Sequence, residues 1–326
     1  MRRREFVAFL GGTAAAWPLV ARAQQSAVPM IGWLSAVSER TAVPHLAQFR
    51  RGLSENGFVL GQNVSIEHRW SDGQYDRLPA MAAEFARRPV DIILAQGPPA
   101  ALAAKTATTI IPIVFVVGID PVSGGLVASY SRPGGNATGA TLIMGPLGQK
   151  RIELLRELVP KASVVAMLVN PHSPDAPPEI RDVQAAAQAN NLQLRLINAS
   201  TTAELDEAFA AIAAQRPDAL LIGGDPFYVV QRQKIAAMVA RTGLAAVYPS
   251  RDFADAGGLI SYGANIPNSF RQAGIYAGRI LKGVKPADLP VVQPTTFELV
   301  INLKTSKAMN FEIPPVLYAR SDDVIE

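Results

Sequence analysis

Apolar runs of strand length alternate along this chain with segments whose apolar residues recur at helical spacing. Met30–Ser35, Asn63–Trp70, Val90–Ala95 and Ile111–Val117 read as strands, and Thr138–Met144 as a strand or a linker. Between them, Leu46, Phe49 and Leu53 mark one helix face, and Leu78, Met81, Ala82 and Phe85 a second. Pro98–Thr108 is Ala-rich with Pro at its first positions, where a helix tolerates it. The runs at Val90 and Ile111 are apolar on both faces, the pattern of parallel strands covered by helices on both sides. After the turn cluster Arg132–Asn136 the alternation resumes. Strands are expected at Val164–Val169, Leu192–Ile197, Ala219–Ile222, Ala245–Tyr248, Leu259–Tyr262 and Thr296–Ile301. Helices are expected around Ile152, Leu155 and Val159, around Ile180 and Val183, and over Phe227–Thr242 and Asn265–Leu281. Thr201-x-x-Glu204 reads as a capping box ahead of Leu205, Phe209 and Ile212.

One β-α-β unit occurs twice. Asp91–Ala100 aligns without a gap on Asp218–Phe227, with Gly97 over Gly224 and Pro99 over Pro226. Ile113-Val114-Phe115 then falls on Ala246-Val247-Tyr248, and Gly124–Val127 on Gly257–Ile260. The period is too long for a solenoid and fits a repeated half-domain. The fold class expected is α/β, with two similar doubly wound parallel-sheet lobes joined by a hinge. A lobe closed at Leu281 leaves Thr296–Ile301 no neighbour, so the chain is expected to return to the first lobe near Gly257 and leave it near Pro290. That gives residues 28–142 plus 257–289 as lobe 1 and residues 143–256 plus 290–326 as lobe 2.

Charge changes this picture only at the N-terminus. The formal net charge is +4. Residues 1–23 hold Arg2, Arg3, Arg4 and Arg22 against Glu5, and without them 27 basic residues face 26 acidic ones. No Lys/Arg block remains to follow a phosphate backbone, so no nucleic-acid partner is expected. The discarded segment has a basic start, a short apolar stretch Phe6–Ala16 and Ala21-Arg22-Ala23 as a cleavage site, which reads as an export signal. Arg3-Arg4-Glu5-Phe6 is similar to a twin-arginine signal. The apolar stretch is too short to span a membrane. Cysteine is absent, which excludes disulfides, a thiol nucleophile and a lipoprotein anchor. A soluble periplasmic protein is expected.

Candidate catalytic groups are few. His45, His68 and His172 lie at no metal-ligand spacing, and His45 and His68 read as surface or helix-face residues. Nucleophile-elbow, phosphate-loop and dinucleotide motifs are missing, so neither cofactor nor metal nor catalysis is expected. Polar groups at strand carboxyl ends remain, where open α/β sheets bind ligands. Ser35, Asp120 and the helix start Pro98, Pro99 and Ala100 belong to the first lobe. Asn170, Ser173, Asp225 and Asp252 belong to the second. Asp225 can meet an ammonium, cap the helix opened by Pro226, or do both. Asp120 before Pro121 can likewise be a turn residue. Phe227, Tyr248 and Tyr262 can line an apolar pocket or pack the core. Trp33 is expected near the cleft, and Trp70 at its rim.

Several short motifs carry a resemblance across the mature chain. They include Gly61-Gln62-Asn63-Val64, Pro99-Ala100-Ala101, Ile111–Phe115, Asp120-Pro121-Val122, Pro133–Gly139, Leu154–Pro160 and Ile280–Gly283. Together they resemble exported substrate-binding proteins of ABC transporters, of the kind linked to tryptophan and tyrosine uptake. The resemblance implies a periplasmic-binding-protein fold of type I, with three crossovers and a ligand held between the lobes. It also implies a receptor that is not an enzyme, a monomer that binds an amino acid or an aromatic or carboxylate-like solute and docks an ABC permease in the inner membrane. Relatives often have Thr where Pro98 stands, and Asn where Pro226 stands. These departures bear on ligand specificity and leave the fold untouched. The rival readings are a sensing module for a membrane receptor and a periplasmic enzyme using the same cleft.

Overall fold

The computed structural model describes residues 28–143 and 147–326. The expected export signal, residues 1–23, lies outside them. The first half runs β1 (Met30–Ser35), α1 (Glu39–Ser54), β2 (Ser65–Trp70), α2 (Leu78–Arg87), β3 (Ile92–Gln96), α3 (Pro98–Ala107), β4 (Ile113–Val117) and β5 (Ala137–Thr141). Its five strands are parallel, in the order β2-β1-β3-β4-β5. The second half runs α4 (Leu147–Leu158), β6 (Val164–Val169), α5 (Ala176–Ala189), β7 (Gln193–Asn198), α6 (Thr202–Gln215) and β8 (Ala219–Ile222). It continues with α7 (Pro226–Val230), α8 (Arg232–Thr242), β9 (Ala245–Tyr248), α9 (Arg251–Asp255) and β10 (Ile260–Ala264). The order β10-β9-β8-β6-β7 repeats that of the first sheet, strand for strand. The duplication seen in the sequence is therefore also a duplication of topology.

Successive strand residues point to opposite faces, and each face has its own helices. On the first sheet, Leu34, Ile93, Ala95 and Phe115 pack with Leu78, Ala82 and Phe85 of α2 and with Ala100, Ala101 and Ala104 of α3. Ile31, Trp33, Leu94 and Val116 face Phe49 and Leu53 of α1. That second face is completed from far downstream, by Phe270, Ala273 and Tyr276 of α10 (Ile266–Leu281). Helices α1 and α10 touch backbone to backbone. A Cβ on Gly274 would sit 2.1 Å from the Phe49 carbonyl oxygen, and one on Gly52 2.0 Å from that of Arg271.

Four details differ from the sequence reading. The strand expected at Leu259–Tyr262 stays in the second sheet, parallel to β9 and antiparallel to β11 (Phe297–Asn302). The return to the first lobe therefore comes at Asn265 rather than near Gly257. The chain leaves again only after Val292, whose N–H and carbonyl bond the backbone of Gly139 and Thr141. Gly124–Val127 is a loop, buried at Leu126 and Val127, where Gly257–Ile260 enters a strand, so that part of the alignment is one of sequence only. The expected helix Phe227–Thr242 is two helices, α7 and α8, parted at Gln231 (φ −90°, ψ 9°). In the capping box, Thr201 Oγ1 accepts from Glu204 N at 3.2 Å, but the Glu204 carboxylate reaches back to Ser200 N and Oγ, both at 2.7 Å. The short β12 (Asp323–Ile325) closes the far edge beside β11, after α11 (Leu303–Ala308) and α12 (Pro315–Ala319).

Candidate functional site

In each sheet the strand order reverses beside the first strand, at β1/β3 and at β6/β8. Loops leaving the carboxyl ends there part from each other and open a crevice. The two crevices face one another across a cavity of about 620 Å³, within the range of small-molecule sites.

The first-lobe floor is a hydrogen-bonded chain whose direction is fixed. The Trp33 indole N–H can only donate, and it does so to Gln96 Oε1 at 3.1 Å; Ser35 Oγ donates to the same oxygen at 3.1 Å. The Gln96 amide nitrogen is thereby turned toward His45 Nδ1, 2.9 Å away. His45 Nδ1 must accept, so the imidazole is neutral with its proton on Nε2. Burial lowers its pKa to about 4, helped by the nearby Arg232 charge. The His45 ring is stacked on Phe270 at 4.4 Å, and both line the cavity. Of the two readings its sequence position allowed, surface or helix face, His45 takes the second: it is buried on the face of α1 turned to the cavity.

The second-lobe wall is rich in carboxylates. Asp225 caps α7, Oδ1 accepting from Phe227 N at 2.9 Å and from Asn170 Nδ2 at 3.1 Å. Its Oδ2 accepts from Tyr75 Oη of the first lobe at 2.7 Å. Burial raises its pKa, and the hydrogen bonds from Tyr75, Asn170, Ser173 and Phe227 oppose the rise. Beside it, Arg151 of α4 pairs with Glu179 of α5 at 2.9 Å. The same guanidinium donates to the carbonyls of Tyr262 at 3.1 Å and Pro249 at 3.3 Å. Glu179 also accepts from Gly224 N at 2.9 Å. Burial works against both charges, lowering the guanidinium and raising the carboxyl, and each is the other's chief electrostatic support. Asp175 is buried at the start of α5. Its pKa is raised well above its ordinary value by burial and by Asp225 and Glu179.

The lobes meet in places. Besides the Tyr75–Asp225 bond, Arg232 Nη1 donates to Thr41 Oγ1 at 2.9 Å. Gly97, at φ 89°, would place a Cβ 3.2 Å from Pro226 Cγ, so both its backbone conformation and this close approach favour glycine.

Among the residues singled out from sequence, Pro98, Asp120, Asp225 and Asp252 line the cavity. Ser35 lies beneath it, tied to Gln96. Pro99 and Ala100 are buried in the first turn of α3, below its rim. Asn170 and Ser173 act through Asp225, by hydrogen bonds to it. Phe227 and Tyr248 belong to the second-lobe core, Tyr248 stacked on Phe253 at 5.4 Å. Tyr262 stacks on Phe297 at 6.0 Å and serves the wall through its carbonyl. Asp120 is also the turn residue its sequence allowed, accepting from Val122 N at 2.8 Å and Ser123 N at 3.0 Å. Trp33 is core, one layer below the cavity through Gln96 and Phe270, and Trp70 stacks on His68 at 4.9 Å rather than standing at a rim. Arg151, Asp175, Glu179, Gln96 and His45 are cavity residues the sequence reading did not find.

A family model described as ABC transporter substrate binding protein matches residues 31–325. A curated relative, a tyrosine-binding protein of Clostridioides difficile, is 26% identical over 295 residues, covering 88% of this chain and 84% of the relative. A solved domain from Streptococcus pneumonia in complex with L-Trp superposes with a TM-score of 0.84 at 23% identity, covering 91% of this chain and 99% of that one. A ligand-free, open substrate binding protein with adhesive properties from Clostridium difficile gives 0.66 at 23% identity, covering 92% and 99%. The fold is that of type I periplasmic binding proteins, two lobes of parallel sheets. No helix among the described residues is long and apolar enough to cross a membrane.

Proposed function

The chain belongs to the ABC transporter substrate binding protein family, and on that premise we propose that it takes a small organic solute between its lobes by hinge closure and delivers it to a permease of the inner membrane. The observation that carries this reading is the cavity itself, walled by both lobes at their two switch points. A solute there contacts both lobes only when they are shut, and so shifts the population toward the closed form. The direct bonds from Tyr75 to Asp225 and from Arg232 to Thr41 support a closed arrangement in which the lobes already touch. The closer superposition on the L-Trp complex than on the open, ligand-free relative agrees with it. The protein acts as a receptor and not as an enzyme, as an exported monomer in the periplasm. Calorimetry of a solute panel, paired with small-angle scattering, tests the mechanism. Saturable binding with a smaller radius of gyration is expected, and binding with an unchanged radius refutes hinge closure.

A further inference from the structure

The unpartnered buried polar atoms of the second-lobe wall are oxygens, two of carboxylates and one of a hydroxyl. Asp175, 8% exposed, occupies the cap position of α5 without making a cap bond. Its Oδ1 has no hydrogen-bond partner. Its Oδ2 looks across the cleft at Gly118, 3.4 Å from where a Cβ there would lie. Asp252 Oδ2 and Ser250 Oγ on the same wall are also without partners. A buried carboxylate oxygen left unpaired costs free energy, and a donor on a bound solute would remove that cost.

Most donors that an anion would need are already removed or engaged, the Nε2–H of His45 on the first-lobe floor excepted. Helix starts commonly hold carboxylates and phosphates through free N–H groups, yet four of the helix starts around this cavity are proline-bearing, and those of α1 and α4 have Thr41 N and Gly148 N engaged by Ser38 and Asp182. α3 begins Pro98-Pro99, α5 has Pro177-Pro178, α7 begins with Pro226 and α10 has Pro267 in its first turn. The neighbouring amides are taken as well. Ala176 N donates to the Ser173 carbonyl, Phe227 N to Asp225 and Asn268 N to Asn265. Gly224 N is held by Glu179, and Arg151 is consumed by Glu179 and two carbonyls. Arg181 is the remaining cation of the lining, and it is exposed on α5.

We propose that this cleft selects a cationic solute lacking a carboxylate, a primary amine or a guanidinium compound, with Asp175 as its charge partner. The inference rests on the solute-binding reading above and narrows it. Burial, Asp225 and Glu179 favour the protonated form of the Asp175 carboxyl when the cleft is empty, and an arriving cation takes the place of that proton. Asp225 stands beside it, and Asp252 adds a further carboxylate to the same wall.

The test is calorimetry of the mature protein with two matched series: tryptamine, L-tryptophan and indole-3-propionate, then agmatine, L-arginine and 4-guanidinobutanoate. In at least one series the amine should bind at least about tenfold tighter than the amino acid, a difference of roughly 1.4 kcal/mol, and the acid should not bind. Asp175→Asn should lose about tenfold or more in affinity for that amine, while the melting temperature of the ligand-free protein stays the same or rises. Tighter binding of an amino acid or acid, binding by no amine, or unchanged amine affinity in Asp175→Asn overturns the proposal. Compaction in small-angle scattering on adding an amino acid would overturn the charge class and leave the solute-binding reading standing.

Discussion

Tyr75→Phe removes a hydroxyl that ties the lobes through Asp225 of the cavity wall. Tyr75 Oη donates to Asp225 Oδ2, 150 residues away in sequence, at 2.7 Å and accepts from Phe227 N at 3.1 Å. The ring packs against both lobe cores, and phenylalanine keeps that packing. Phe227 N also keeps its bond to Asp225 Oδ1. What the variant loses is the donor to Oδ2, and only in the closed form, because opening would give that oxygen water instead. A hydrogen bond to a charged group contributes about 1.5–3 kcal/mol, and a neutral one about 0.5–1.5. Burial raises the Asp225 pKa, so the relevant figure is near the meeting point, about 1.5 kcal/mol. That is roughly a tenfold loss in the closed-to-open ratio. When the ligand-free protein is mostly open, apparent affinity falls by the same factor, since binding draws on the closed fraction. Calorimetric Kd values for the tightest probe, with the radius of gyration of both proteins without ligand, measure it. Equal Kd and equal radius in Tyr75→Phe and the parent would refute the claim that this bond holds the lobes together.

Other outcomes follow from the same geometry. His45 has its pKa depressed from 6.5 to about 4, so its contribution is present above pH 6.5 and lost as pH falls toward 4; at about 1.4 kcal/mol per pH unit this is roughly 3 kcal/mol, and urea unfolding of His45→Gln should show a shallower acid loss than the parent. Arg151→Met leaves Glu179 buried and unpaired and should cost about 3–5 kcal/mol in denaturant unfolding, partly restored by adding Glu179→Gln; equal stability of single and double variants would contradict the pairing. Gly274→Ala forces α1 and α10 apart and should cost about 3 kcal/mol, the upper part of the range for overpacking, whereas Gly283→Ala meets nothing within 4 Å and is strained only by its φ of 95°.

What the sequence showed and hid has physical causes. β6 and β8 appear with the bounds their apolar runs suggested, because fully buried strands carry a continuous signal. The repeat was visible because Gly97 and Gly224 stand at equivalent strand ends. Partnering was not visible: Leu259–Tyr262 reads the same in either sheet, and the antiparallel neighbour that keeps it in the second lies beyond α10. Asp225 and Asp252 could be found because loops at strand ends announce themselves. Arg151 and Glu179 could not, since a charged residue on an amphipathic helix looks like a solvated one until both helices turn that face inward. Aromatic residues erred the other way, with Phe227 and Tyr248 next to cleft loops but packed into the core.

The late arrival of α10 sets an order for making the protein. A chain emerging from the ribosome completes β1–β5 by residue 141, yet the face bearing Ile31, Trp33, Leu94 and Val116 has half its cover, α1 alone. The other half lies at residues 266–281, behind the whole β6–β10 sheet. Domains tend to fold from the N-terminus as synthesis proceeds, but here the first lobe must wait for the second to be translated. The second waits in turn, because the β10 edge is unpaired until Phe297–Asn302 arrives. A truncation after residue 256 would therefore leave apolar surface bare on both lobes, and a nascent chain halted there is a client for a holding chaperone rather than a folded half.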